Sequence, residues 1–256
     1  MLAKNGLDNG KVYVLGSVDP EKNKTADFKR GAVGAKWIEI PDAFEWTRTE
    51  TRDFAAESGA FQFVRLEDVD FRPDNPNECL FLATGGVAGC GNEWGRMYRL
   101  HLNADDPAGS AELEIIYNAD LFDDAAGNFL PAAFFNALSP DNLAANDRFV
   151  MVQEDRNGTI QSLLNILGRD GSIYSYDMQD NFAAKREAEL NQPNRFGVTQ
   201  NLGRWESSGI IDASAVFGPN TWLTNVQAHG GIPEEEEEFL FKTPEDGQVL
   251  ILRPKE

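Results

Sequence analysis

The chain has 256 residues, 41% of them apolar, with 17 Phe and 5 Trp; that is enough core-forming material to exclude a disordered polypeptide. Its 42 acidic against 23 basic residues give a formal charge of −19, a surface that repels phosphate backbones and argues against a nucleic-acid partner. Two histidines are too few for an imidazole-based metal centre and the two cysteines match no zinc-site spacing, so a bound metal has to draw most of its ligands from carboxylates and carbonyls, which favours calcium.

No apolar run approaches the roughly 18–20 residues of a membrane span. The opening Met1-Leu2-Ala3-Lys4-Asn5-Gly6 lacks the apolar stretch of a signal peptide. The expectation is a chain that stays in the cytoplasm or one whose true N-terminus lies upstream. One domain over residues 1–256 suits this length.

The patterning is mostly strand. Residues 11–18 alternate around Val12, Val14 and Leu15 after an Asn9-Gly10 turn signal. Residues 35–41 form a second strand, stopped by Pro41. Strands over 61–69, 78–84, 95–102 and 111–118 follow, with Gly, Asn, Asp and Pro between them. Together they run for about 60 residues, the size of one generous propeller blade. Cys79 and Cys90 lie where a bridge across the turn after a strand is conceivable. After Leu138 the pattern restarts with strands at 149–154, 172–177 and 195–200, and a helix is expected over 181–190. A third set covers 209–213, 221–228, 238–242 and 249–253. Short strands at intervals of about 8–15 residues fit a sandwich, a barrel or a propeller.

Polar positions add an order to these strands. Glu67 precedes Thr84, Asp141-Asn142 precedes Glu154-Asp155, and Glu206 and Asp212 precede Val226-Gln227-Ala228-His229 by similar intervals. In a propeller the innermost strands converge on the axis, so carboxylates far apart in sequence can meet there. The alternatives are ordinary: Glu67 pairing with Arg65 or Arg99, Asp141-Asn142 as turn chemistry after Pro140, and Glu206 as a surface carboxylate before Gly209. Glu154 and Asp155 are adjacent and face opposite sides of a strand, so only one can line a channel. Glu154 is the one chosen. The acids 234–238 read as a solvated loop, and Trp205 and Trp222 as packing residues.

Local sequence is more specific. Trp205-Glu206-Ser207-Ser208-Gly209-Ile210-Ile211-Asp212-Ala213-Ser214, then Gly218 and Thr221-Trp222-Leu223-Thr224-Asn225-Val226-Gln227-Ala228-His229, resembles the closing segment of the PhoX-type bacterial alkaline phosphatases. Phe63-Val64-Arg65-Leu66-Glu67-Asp68 is similar to that family's Arg-x-Glu blade start. Ser139-Pro140-Asp141-Asn142-Leu143 with Val152-Gln153-Glu154-Asp155 resembles its Pro-Asp-Asn-Leu blade, and Trp94-Gly95-Arg96-Met97-Tyr98-Arg99 its Gly-Arg-x-Tyr strand. These pieces extend from about Asn9 to the C-terminus in the family's order.

The resemblance implies an all-β chain carrying about four blades of a six-bladed propeller, which hydrolyses small phosphate monoesters at a calcium- and iron-containing centre. It implies Glu67, Asp141, Glu154 and Glu206 as metal ligands. His229, which ends a strand directly before Gly230-Gly231, is the catalytic candidate, as a contact to phosphate, with a structural hydrogen bond as the alternative. Family members are exported, to the periplasm or beyond. The family's earlier segment, with an iron-ligating cysteine beside two glutamates, has no counterpart here, so the chain is expected to start after the first blades. Two rivals stand beside the phosphatase: a non-catalytic calcium-binding propeller remnant or interaction module, and a calcium-dependent lactonase-like hydrolase, since propellers host many chemistries.

Overall fold

The computed structural model describes residues 10–41, 43–86, 88–121, 135–155, 158–190, 205–229 and 245–254. They are mostly β, in three antiparallel sheets. The first contains Val12–Ser17 (β1), Gly31–Ile40 (β2), Leu66–Arg72 (β3), Asn75–Ala83 (β4), Arg96–Leu102 (β5) and Ser110–Asn118 (β6), in the order β1-β2-β6-β5-β4-β3. Here β3 to β6 form a meander, each strand pairing with the next, and β2 and β1 extend it beyond β6. The near-continuous apolar run at the end of β4 marks a strand covered on both faces. Cys79, Phe81 and Ala83 join an aromatic core with Phe28 and Tyr98, while Leu80 and Leu82 face the second sheet. Helix α1, Arg48–Glu57, lies outside the core and opens with a capping box between Thr47 and Glu50.

The second sheet is a plain meander of Pro140–Ala145 (β7), Phe149–Glu154 (β8), Ser172–Asp177 (β9) and Ala183–Glu189 (β10), with helix α2, Gly158–Leu167, between β8 and β9. The third is Glu206–Asp212 (β11), Trp222–His229 (β12) and Glu245–Leu252 (β13), with the short helix α3, Ser214–Phe217, joining the first two.

The helix expected over 181–190 is a strand. Its side chains alternate, Ala184, Arg186 and Ala188 half-buried and Ala183, Lys185, Glu187 and Glu189 exposed, which is a period of two. Asn181 and Phe182, both at positive φ, turn the chain back so that it pairs with the open edge of β9. The strands expected at 195–200 and 238–242 lie outside the described residues. Instead of about four equal units, the described residues show sheets of six, four and three strands, because β1 and β2 add to β6 rather than forming a sheet of their own. Among the described residues no helix is long and apolar enough to cross a membrane.

The sheets stack face to face. Leu80, Leu82 and Met97 of the first pack on Leu143, Val150, Val152 and Tyr174 of the second. Ala144, Met151 and Ile173 on the second sheet's other face pack on Ile210 and Trp222 of the third. Trp222 thus packs between sheets, as its sequence context suggests. The first strand of each meander meets its counterpart: β7 lies against both β3 and β11. Two carboxylates fix one of these contacts, Asp68 accepting from the Leu143 N–H and Asp70 from the Ala145 N–H, each at 3.0 Å.

Candidate functional site

The similar intervals between acids and later polar residues have a plain cause in hairpin register. The start of each first strand lies opposite the end of the second. Leu66 pairs with Ala83, and the Thr84 N–H donates to the Arg65 carbonyl at 2.9 Å. Pro140 pairs with Glu154, and the Asp155 N–H donates to the Ser139 carbonyl at 2.9 Å. Glu206 pairs with Gln227. The Thr84 hydroxyl then donates to the Pro140 carbonyl at 2.8 Å, tying the first sheet's end to the second sheet's start.

Each first strand also carries a bulge near its acid. The register slips between Leu66 and Val69, spanning Glu67; between Pro140 and Asn142, at Asp141; and between Ser208 and Ile210, at Gly209 beyond Glu206. A bulge adds a residue to one strand and re-aims its side chains. Backbone at positive φ flanks two of these starts, at Arg65 (54°) and Ser139 (45°).

The result is an acidic cluster built from all three sheets. Arg65 Nη2 sits 2.9 Å from Asp155 Oδ2 and 3.3 Å from Glu67 Oε1. Asp141 lies within electrostatic reach of Asp155, Glu67, Glu206 and Arg65. Burial, then the charges of Asp155, Glu67 and Glu206, push the Asp141 carboxyl up to about 7 against the opposing pull of Arg65. Among the described residues, four carboxylates face one guanidinium, a local charge of about −3 when all are ionised.

Glu154 stands apart from this cluster. It is fully buried, with Arg169 donating to both oxygens at 2.6 and 2.7 Å and the backbone N–H groups of Leu138 and Ser172 completing its shell. Its neighbour Asp155 points the other way and meets Arg65 instead. The two adjacent side chains leave on opposite sides of the strand, and it is Asp155 rather than Glu154 that meets the cluster. His229 ends β12, opposite Glu245, at the same end of the sheet as Glu206; its side chain lies outside the described residues.

Sequence reasoning had Glu67, Asp141 and Glu206 as candidates and did not include Arg65 and Asp155. Arg65 was visible only as a motif member and as a partner for Glu67. Asp155 was legible from strand alternation once the partner of Glu154 is known, but Arg169 lies beyond an intervening helix. Both cysteines are free: Cys79 is buried in the first sheet, where burial pushes its thiol up to about 11, and Cys90 donates to the Asn92 carbonyl. Neither touches the acidic cluster. Among the described residues, no group of three or more His, Cys, Asp or Glu side chains is placed to hold a metal ion. The donor set at the cluster is oxygen alone, which suits a hard cation such as calcium and offers iron no thiolate. No family model, curated protein or solved structure matches this chain.

Proposed function

We propose that the three meanders are propeller blades and that Glu67, Asp141, Asp155 and Glu206 hold calcium in their channel for the hydrolysis of phosphate monoesters, in the manner of the PhoX-type phosphatases. The observation that carries this reading is the meeting of carboxylates from the starts of β3, β7 and β11, each beside a bulge. A site of charge near −3 repels a phosphate group, so the reading requires cations. Calcium takes six to eight oxygens at about 2.3–2.6 Å, and when bound it supplies positive charge to the phosphoryl oxygens as they gain charge.

The chain's own groups then have distinct tasks. Glu67, Asp141, Asp155 and Glu206 would hold the cation, with Asp141 entering as the carboxylate after giving up the proton that its neighbours favour. Arg65 keeps Asp155 oriented and carries donors that match a phosphate oxygen pair. His229, at the end of β12, would donate a hydrogen bond to the phosphate. The cluster offers carboxylate oxygens with neither thiolate nor imidazole beside them, and the proposal rests on calcium alone.

One observation favours the non-catalytic calcium module as a second reading: Arg65 already occupies part of the cluster, which is what a structural site needs and a substrate site does not. The deciding experiment is hydrolysis of a chromogenic phosphate monoester and of an aromatic lactone, with calcium and with chelator, by the wild type and by Glu206→Gln. Calcium-dependent release of phosphate that Glu206→Gln loses supports the phosphatase. Turnover of the lactone alone would move the assignment to a lactonase-like hydrolase. Binding of calcium without turnover of either leaves the module.

A further inference from the structure

The second and third sheets meet most closely at β7 and β11, and toward β10 and β13 they are farther apart. The gap opens into a cleft of about 600 Å³. Register places it at the end of the sheets away from the acidic cluster. Phe149, in the cleft, pairs with Asp177 at one end of β8, whereas Pro140 pairs with Glu154 at the other. Trp222, also in the cleft, pairs with Asp212 and Leu252, at the opposite end from Glu206 and Gln227.

The floor of the cleft is apolar, made by Phe149, Met151, Trp222 and Leu252. Its charged lining is mostly cationic, Lys185, Arg186 and Arg253 against Glu187, on a chain whose net charge is −19. Glu187 is already matched: Lys185 Nζ lies 2.8 Å from its Oε2, and the Ser175 hydroxyl donates to its Oε1 at 2.7 Å. Arg186 has Glu189 at 3.1 Å. Arg253 is the surplus cation. It is exposed, lies over the Phe217 ring at 5.9 Å from the centroid, and forms no ion pair among the described residues.

We propose that this cleft binds a small organic anion with a flat apolar body, an aromatic carboxylate, with its ring on the floor and its carboxylate on Arg253. A concave site of this volume, apolar with a few polar groups at its rim, suits a small molecule. The planar guanidinium offers a carboxylate two parallel donors, and the Phe217 ring behind it limits the freedom lost on binding. A cationic ligand would meet the unmatched Arg253, and a neutral one would leave that charge unused. The inference is independent of calcium binding at the acidic cluster, which sits at the other end of the sheets.

The test is NMR of the full chain carrying a carbon-13 label in its four methionine methyls, titrated with naphthoate. Met151 lines the cleft, whereas Met97 packs between the first and second sheets and serves as the internal control. Naphthoate is expected to shift the Met151 methyl saturably, with half-saturation between about 0.1 and about 1 mM, and to leave Met97 in place. Arg253→Glu, at an exposed position, should weaken binding by about tenfold, and Arg253→Lys by less. The neutral analogue naphthalenemethanol should bind about tenfold more weakly than naphthoate, and equally to wild type and Arg253→Glu. No saturable shift at Met151 up to about 10 mM overturns the proposal. Binding that Arg253→Glu leaves unchanged, or equal affinity for the neutral alcohol, overturns the role of the guanidinium and the proposal with it. Equal shifts at Met97 overturn it too, since the probe would then be entering the core at large.

Discussion

Because successive side chains of a strand leave on opposite faces, Glu154 and Asp155 enter different environments at the end of β8. Glu154 is sealed with Arg169, and every oxygen is matched by a donor. Removing one partner of a buried ion pair strands the other's charge, at a cost of about 3–5 kcal/mol. Glu154→Gln is therefore expected to lower unfolding free energy by that order in urea titration, and Asp155→Asn, whose partner Arg65 is 44% exposed, by less. Asp141 makes an opposite prediction. Its carboxyl is raised to about 7 from an ordinary value near 4. Between about pH 4 and 7 the folded chain keeps a proton that the unfolded chain has lost, so stability falls as pH rises through that window. In chelator, the melting temperature should drop from pH 5 to pH 8. Asp141→Asn should flatten that slope and exceed the wild type at pH 8. A slope unchanged by Asp141→Asn would mean that the repulsion at this residue is not felt by the fold.

Among the elements, the ones with a clean period were legible and the ones shaped by local exceptions were not. The meander β3 to β6 follows from alternation and turn residues, and so do β8 and β9. By contrast β7 opens with Pro140-Asp141-Asn142, whose turn chemistry hides a strand bent by a bulge. The segment 183–189 has helix-forming residues, yet the open edge of β9 decides for strand. Helix α1 was missed because none of its side chains is buried and its apolar pattern is faint; the capping box from Thr47 to Glu50 was its only sharp signal. The carboxylate cluster was legible in outline, through the loosely similar spacing that hairpin register creates. Part of its membership was not, because Arg65 meets Asp155 across two sheets and the Arg169 that takes Glu154 away from the cluster lies beyond an intervening helix. The β7 start is held by Gly95, whose φ is +99° and where a Cβ would fall 2.1 Å from Pro140 Cδ. Gly95→Ala should cost about 1–3 kcal/mol or more and displace the Pro140 turn. Gly31→Ala, also at positive φ but with open space around it, should cost only about 1–2 kcal/mol from the backbone. Thermal unfolding of the two variants separates the steric part from the conformational part.

For the whole molecule, the balance is between a chain of net charge −19 and the few places where like charges are brought together on purpose. Most acids point to solvent or meet an arginine, as Asp177 does with Arg148 and Glu114 with Arg99. The cluster at the starts of β3, β7 and β11 is different, since it gathers carboxylates from all three sheets, two of them from the second, around one guanidinium among the described residues. A cation there would relieve repulsion and clamp three sheets at one point. Anything that binds only the folded chain adds about 2.7 kcal/mol at a hundredfold excess over its dissociation constant, so calcium should raise the melting temperature at neutral pH. The most direct measurement is calorimetric titration of calcium into the metal-stripped chain at pH 8, beside Asp141→Asn and Glu206→Gln. The account predicts binding in the micromolar to millimolar range that either substitution weakens by about tenfold or more. Absence of calcium binding at millimolar concentration, or binding that both variants retain unchanged, would contradict it.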